Sequence, residues 1–320
     1  MTLALRLGRG ETPGWIYSPA TPGFFFTGGY CCKVASKRFL LFGGNQLGGI
    51  AMRSVIAFDG SAWTSRTHMP GIGRFDSGSA VVNDTVVCVA GYDVEPSASC
   101  VRYSPFSDHW STIDQITGPR RYAHATTAVG QKVLVFCGRD ILHNNLTKSA
   151  IFEAEVWMSA SDAPLPARAR ASATSVNGRA FLTGGSAEVS TPLSDHLEFV
   201  IQAGSWIQKT SLPLPGRQGH AAFTAMLENV ITGGGTPLQT STFIHNPISD
   251  TWRSALPLTL PARQWAGAGP GIRADSGFVS GGETDSGIRL LNHNEFTSGT
   301  WITQTSLPAP ARKQLTGATV

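Results

Sequence analysis

Six arginines recur at a fixed distance behind six tryptophans, and arginine is well suited to binding carboxylates and phosphates. Each stands eleven positions after a tryptophan. These ladder arginines are Arg74, Arg121, Arg168, Arg217, Arg263 and Arg312. A guanidinium binds planar anions through parallel hydrogen bonds, so a ring of them would form a receptor for an anion or an acidic partner. The alternative interpretation is structural: each arginine ties its loop to the backbone of a neighbouring unit.

A further tryptophan, Trp265, stands two residues after Arg263 and outside the regular series. Other units have Asp76, Ala123 or Gly219 at that position. An aromatic ring there could stack on a sugar or on an aromatic residue of a partner, and it could equally plug a central channel. Both interpretations stay open at this point.

Signals for catalysis and metal binding are weak. His124 and His220 occupy the same position in two units, but no third ligand accompanies them, so we expect a structural hydrogen-bonding role and no metal. The chain has no serine nucleophile elbow, phosphate-binding loop or paired-carboxylate motif. We therefore expect a non-catalytic protein that carries no cofactor.

The elements that must position these residues follow from seven regularly spaced tryptophans. They are Trp15, Trp63, Trp110, Trp157, Trp206, Trp252 and Trp301, at intervals of 46 to 49 residues. A period in the forties along the whole chain is typical of a propeller or solenoid. Four short apolar segments separated by turn residues occur in each unit, which predicts one all-β propeller domain over residues 1–320.

The second apolar segment of each unit ends in glycine, usually a doublet, and an aromatic third segment and the spaced tryptophan follow. Val230-Ile231 leading to Gly233-Gly234 is one example. This pattern resembles the kelch motif over essentially residues 2–320. The resemblance implies a β-propeller with four-stranded blades. Two units depart from it, with Ala90-Gly91 and Cys137-Gly138. Kelch propellers include copper-radical oxidases, but the tyrosines here form no recognisable ligand arrangement with a cysteine.

The number of blades is ambiguous at the ends of the chain. Six units are complete, and residues 1–25 with 312–320 would supply strands one, three and four of a seventh blade. We favour seven blades, the last built from both termini and lacking its second strand. Six blades are the alternative. An incomplete blade would expose unpaired backbone groups, so a partner chain could donate the missing strand there.

Bulk composition excludes several classes of function. Charged residues are 14% of the chain and the net charge is +4, with no dense basic cluster for nucleic acid. The sequence contains no run of 18 apolar residues, the length that would suggest a membrane span. Its first residues do not form a convincing signal peptide. Localisation stays open between a virion and the cytoplasm.

The combined features favour a binding or scaffold propeller. The preferred role is a structural subunit of a larger assembly, such as a phage or viral virion or tail, with neighbouring subunits as partners. One alternative is a soluble kelch adaptor that binds a protein or peptide on its top face. Another is a carbohydrate-binding module or a sugar-active enzyme. The fold alone does not decide among them.

Overall fold

Short apolar segments that alternate with turn residues form strands throughout the chain. The computed structural model describes residues 14–15, 30–34, 38–44, 51–58, 62–187, 191–259, 261–271 and 273–306. These residues contain strands and turns and no α-helix. They form six sheets.

The strands run in chain order through the six sheets. The first sheet contains β1 (Gly14–Trp15), β2 (Tyr30–Val34), β3 (Arg38–Phe42), β4 (Val55–Phe58) and β5 (Ala62–Arg66). The second contains β6 (Gly78–Val82), β7 (Thr85–Tyr92), β8 (Pro96–Ser104) and β9 (His109–Ile113). The third contains β10 (Ala125–Val129), β11 (Lys132–Phe136), β12 (Ser149–Glu153) and β13 (Val156–Ala160). The fourth contains β14 (Ser172–Val176), β15 (Arg179–Thr183), β16 (His196–Val200) and β17 (Ser205–Gln208). The fifth contains β18 (Ala221–Ala225), β19 (Glu228–Thr232), β20 (Thr242–Asn246) and β21 (Thr251–Ala255). The sixth contains β22 (Gly267–Pro270), β23 (Ser276–Ser280), β24 (His293–Thr297) and β25 (Thr300–Gln304).

Each sheet is one blade, in which four consecutive strands pair antiparallel in sequence order. The innermost strands β2, β6, β10, β14, β18 and β22 contact one another in succession, and β22 also contacts β2. Rings from the first and sixth blades meet directly, with Phe58 and His293 5.4 Å apart. The molecule is therefore an all-β propeller of four-stranded blades, as the sequence predicts.

The favoured count of seven blades is not confirmed, because the six described sheets already contact one another in a closed ring. Trp15 does not begin a blade of its own. It lies in β1, which pairs in parallel with β5 and places Trp15 opposite Trp63. The first blade has four antiparallel strands, β2 to β5, within this chain. The predicted incomplete blade and its donated strand are thus not confirmed. Apart from Gly14 and Trp15, the predicted seam of residues 1–25 and 312–320 lies outside the described residues.

The tryptophans after Trp15 are periodic because each one joins its own blade to the preceding one. Trp206 packs against Phe136 of the blade before it, with ring centroids 4.8 Å apart. Its indole nitrogen donates a hydrogen bond to the carbonyl of Ser161 at 3.1 Å. Trp110, Trp157, Trp252 and Trp301 donate equivalent bonds to backbone carbonyls of the preceding unit. The core therefore consists of apolar layers between neighbouring blades.

Close packing between blades makes the absence of a side chain at Gly277 essential. A Cβ atom at this position would lie 2.1 Å from the ring of Phe223, which is fully buried in the preceding blade. We expect Gly277→Ala to lower the free energy of unfolding by about 1–3 kcal/mol, as overpacking of cores does. Urea denaturation measures this change. Phe223→Leu added to Gly277→Ala should reduce the effect of the alanine, whereas an unchanged midpoint for Gly277→Ala alone would contradict the packing argument.

Candidate functional site

The side chains of the five described ladder arginines are buried and form hydrogen bonds to the protein's own backbone. They are between 0 and 4% exposed. Each donates a hydrogen bond from Nη1 to the carbonyl of the residue at the end of its own blade's second strand, at 2.8 to 3.4 Å. These acceptors are the carbonyls of Ala90, Cys137, Gly184, Gly233 and Gly281. The sixth, Arg312, lies outside the described residues.

The backbone at each arginine also contacts the preceding blade. The carbonyl of Arg217 accepts a hydrogen bond from the amide of Gly185 at 2.8 Å, and that of Arg121 accepts one from Gly91 at 3.0 Å. Each of these two arginines therefore contacts the glycine turns of two blades. Its side chain binds the turn of its own blade, and its backbone carbonyl binds the turn of the preceding blade. This geometry favours the structural interpretation of the arginine ring. Binding of an external anion by these side chains stays an untested prediction.

Burial also changes the acid–base properties of these guanidinium groups. It lowers the pKa values of Arg121, Arg217 and Arg263 to about 10. All three stay protonated at neutral pH, so their positive charges are balanced mainly by carbonyl dipoles. Arg168 differs, because its Nη2 forms an ion pair with Asp195 at 2.8 Å.

A series of four backbone hydrogen bonds in the described part of the chain lies two residues beyond the arginines, where the inner strands begin. We call its members the mouth residues: Asp76, Ala123, Arg170, Gly219 and Trp265. Each amide from Ala123 onward donates to the carbonyl of the mouth residue in the preceding blade, at 2.8 to 2.9 Å. All five have positive φ, between 49° and 59°. We call this end of the propeller the top face; the loops between second and third strands, and those between blades, lie on it.

The indole of Trp265 is placed by the glycine of the neighbouring blade. A Cβ atom on Gly219 would lie 2.8 Å from the indole, so the ring occupies space that only glycine leaves open. The guanidinium carbon of Arg170 lies 5.6 Å from the ring centroid of Trp265. The half-buried indole thus forms part of a cation–π pair at the mouth. Neither stacking on a ligand nor plugging of the channel is tested by this arrangement.

Arg170 is the residue at the mouth that sequence reasoning missed. Its side chain is half-buried, and it donates no hydrogen bond to any residue that the structure describes. In this it differs from the five buried ladder arginines. Its position in the repeat could have indicated it, because Arg170 occupies in the fourth unit the position that Trp265 occupies in the sixth.

The charges around Arg170 come from neighbouring blades. Burial lowers its pKa, the carboxylate of Asp76 opposes that shift, and the nearby Arg139 adds to it. Burial also raises the pKa of Tyr122, which keeps this phenol neutral at physiological pH. The hydroxyl of Tyr122 is 2.7 Å from Nδ1 of His143. The mouth therefore combines aromatic rings with two guanidinium groups and one nearby carboxylate.

The paired histidines His124 and His220 are buried between blades, where neither imidazole has a well-oriented hydrogen-bond partner among the described residues. The expected structural hydrogen-bonding role is therefore not visible in their contacts. Burial lowers the pKa of each to about 3, so both are neutral at pH 7. Within the described ranges, no group of three histidine, cysteine or acidic residues could hold a metal ion.

With the blades and the mouth defined, the class of the protein is a β-propeller of four-stranded blades. The solved structure of YjhT, a propeller, is similar, with a TM-score of 0.75 and 15% sequence identity. The match covers 90% of this chain and 99% of YjhT. At this level of identity the likeness shows the fold alone. No protein-family model matches the sequence, and no curated protein matches it. In the described part of the chain, no helix is long and apolar enough to span a membrane.

Proposed function

We propose that this chain is a kelch-like, non-catalytic binding propeller that docks a partner protein on its top face. The observation that carries the proposal is Arg170, a half-buried guanidinium at the mouth that has no hydrogen-bond acceptor among the described residues. A partly exposed guanidinium whose donors have no acceptor within the described protein can bind an acceptor supplied from outside.

Apolar side chains around the mouth support docking of a protein. Leu142, Leu165 and Leu214 stand on top-face loops and are 74 to 82% exposed. A groove beside Leu214 is lined by Pro192, Pro215, Gly216 and Thr236. Exposed apolar side chains that gather on one face of a protein are typical of surfaces that bind other proteins.

The test compares two faces of the same propeller. Leu142→Ser with Leu214→Ser removes apolar area from the top face. Phe106→Ser with Ile248→Ser does the same on strand-connecting turns at the opposite face, where both residues are also exposed. We expect the partner that co-purifies from the native source to be lost from the first double variant and kept by the second. If only the second double variant lost the partner, the interface would lie on the opposite face and the proposal would be refuted.

A role as a structural subunit of a larger assembly, such as a virion or tail, is the second candidate. The supporting observation is on the outer strands, where Val156, Met158, Ile207 and Ile302 are about half-exposed. These aliphatic residues lie on the sides of three blades, where neighbouring subunits of an assembly would pack. Light scattering after size-exclusion chromatography tests this role. A monomer at high concentration that joins no complex from its native source would rule it out.

A further inference from the structure

The guanidinium of Arg170 can make two kinds of contact, and the described residues supply only one of them. Its central carbon lies over the ring of Trp265, 5.6 Å from the ring centroid. This cation–π contact uses the charge of the group, whereas hydrogen bonds run from the N–H donors in the guanidinium plane. No acceptor for these nitrogens is present in the described ranges. The tryptophan therefore helps to hold the guanidinium at the mouth and leaves its donors for a ligand.

The charge of the mouth indicates which ligand would complement it. The groups that act electrostatically on Arg170 are Asp76, Arg139 and Tyr122. Two guanidinium charges thus face one carboxylate, while the phenol is neutral at pH 7. Arg139 is buried and donates from Nε to Asn145 at 2.9 Å, whereas Arg170 is half-buried and can reach a ligand from the mouth. One uncompensated positive charge matches a monoanion better than the double negative charge of a phosphate monoester.

We propose that the mouth binds the carboxylate of an aspartate or glutamate side chain on an extended apolar segment of the partner. Arg170 is its bidentate donor and Trp265 the support that orients the donor. This inference rests on the proposed docking at the top face. The groove beside Leu214 borders the same blade as Arg170 and would accept the apolar residues that flank the acidic one. A planar carboxylate matches the spacing of two parallel guanidinium donors.

The experiment selects binders from random peptides, so the natural partner need not be identified first. A random twelve-residue peptide library displayed on phage is panned against the whole chain, and the enriched sequences are synthesised. We expect an aspartate or glutamate at a shared position among apolar residues. Arg170→Met should weaken the binding of such a peptide about tenfold or more, as should Glu→Gln in the peptide, because each removes a charge-assisted pair. The two changes together should cost little more than either alone.

Matched variants separate recognition from folding. Arg253→Met removes a surface arginine of the fifth blade and should leave the peptide's affinity unchanged. Arg170→Met should melt at the wild-type temperature. Sodium propionate, a monoanionic carboxylate, should compete with the peptide more strongly than sodium phosphate at equal ionic strength. Stronger competition by phosphate would overturn the choice of a carboxylate.

The outcomes distinguish this inference from the function on which it rests. Peptides that lose affinity with Leu214→Ser but not with Arg170→Met, and that carry no acidic residue, refute the carboxylate site and leave top-face docking intact. Peptides that bind only through Phe106 and Ile248 refute both. Failure to enrich an acidic peptide whose binding depends on Arg170 also overturns the inference.

Discussion

Arg217→Ala should lower the free energy of unfolding by about 3 kcal/mol or more, one of the largest effects expected for a single substitution in this chain. The Arg217 guanidinium is fully buried and donates to the carbonyls of Gly233 and Ser241 and to the Ser241 hydroxyl, at 2.7 to 3.2 Å. Its removal leaves these acceptors without a donor inside the protein, and each charge-assisted bond is worth about 1.5–3 kcal/mol. Urea denaturation followed by tryptophan fluorescence measures the loss.

Arg253→Ala is the control for this prediction, because it removes an arginine from the outer strand of the same blade. Arg253 is half-exposed and pairs with Glu228 at 2.7 Å. An exposed ion pair of this kind contributes less than about 1 kcal/mol. Equal losses for the two variants would show that the Arg217 bonds to the backbone do not stabilise the propeller. Lost partner binding by an Arg217→Ala protein of normal stability would instead support the ligand-binding interpretation of the arginine ring.

The second large effect is a steep loss of stability in mild acid. Burial lowers the pKa values of His124, His220 and His293 to about 3 in the folded protein, against 6.5 as the ordinary value. Below about pH 6.5 the unfolded chain takes up three protons at these side chains, while the folded chain does not until about pH 3. Full stability is therefore present above pH 6.5. It should fall by about 4 kcal/mol for each pH unit well below that value, or roughly 1.4 kcal/mol per histidine.

Urea midpoints at pH 7.5, 6.0 and 5.0 give the measurement. His220→Leu removes one of the three imidazoles and should reduce the slope by about 1.4 kcal/mol per pH unit. A stability that stays constant from pH 7 to 5 would contradict burial of these neutral histidines.

The tryptophan ladder shows what the sequence could and could not predict about the fold. It predicted four-stranded blades correctly, because the indoles after Trp15 each pack against the preceding blade and therefore recur once per blade. It did not give the blade count, since Trp15 shares the spacing but pairs in parallel with β5. The pairing partner of a two-residue strand depends on tertiary contacts that spacing does not encode.

The candidate site was less accessible to sequence reasoning than the fold. The spacing of Arg217 and its counterparts left two interpretations open, a receptor for an external anion and a tie to the backbone. Spacing could not decide between them, because the direction of a guanidinium group depends on the carbonyls that the folded loops bring close to it. Arg170 and Trp265 meet only because the intervening blade has Gly219 at its mouth position, which leaves room for the indole. That contact depends on three units together and is absent from the pattern of any single unit.

The backbone hydrogen bonds at the mouth connect the blades without using side chains. The five mouth residues are joined blade to blade through amides and carbonyls, so these hydrogen bonds do not depend on side-chain identity. Asp76, Ala123, Arg170, Gly219 and Trp265 already represent five different chemistries at equivalent backbone positions. Protein engineering can use this feature. A library that varies Asp76, Ala123 and Arg170 and keeps Gly219 with Trp265, enriched in glycine, asparagine and aspartate because φ is positive, would test whether ligand preference can change on an unchanged scaffold.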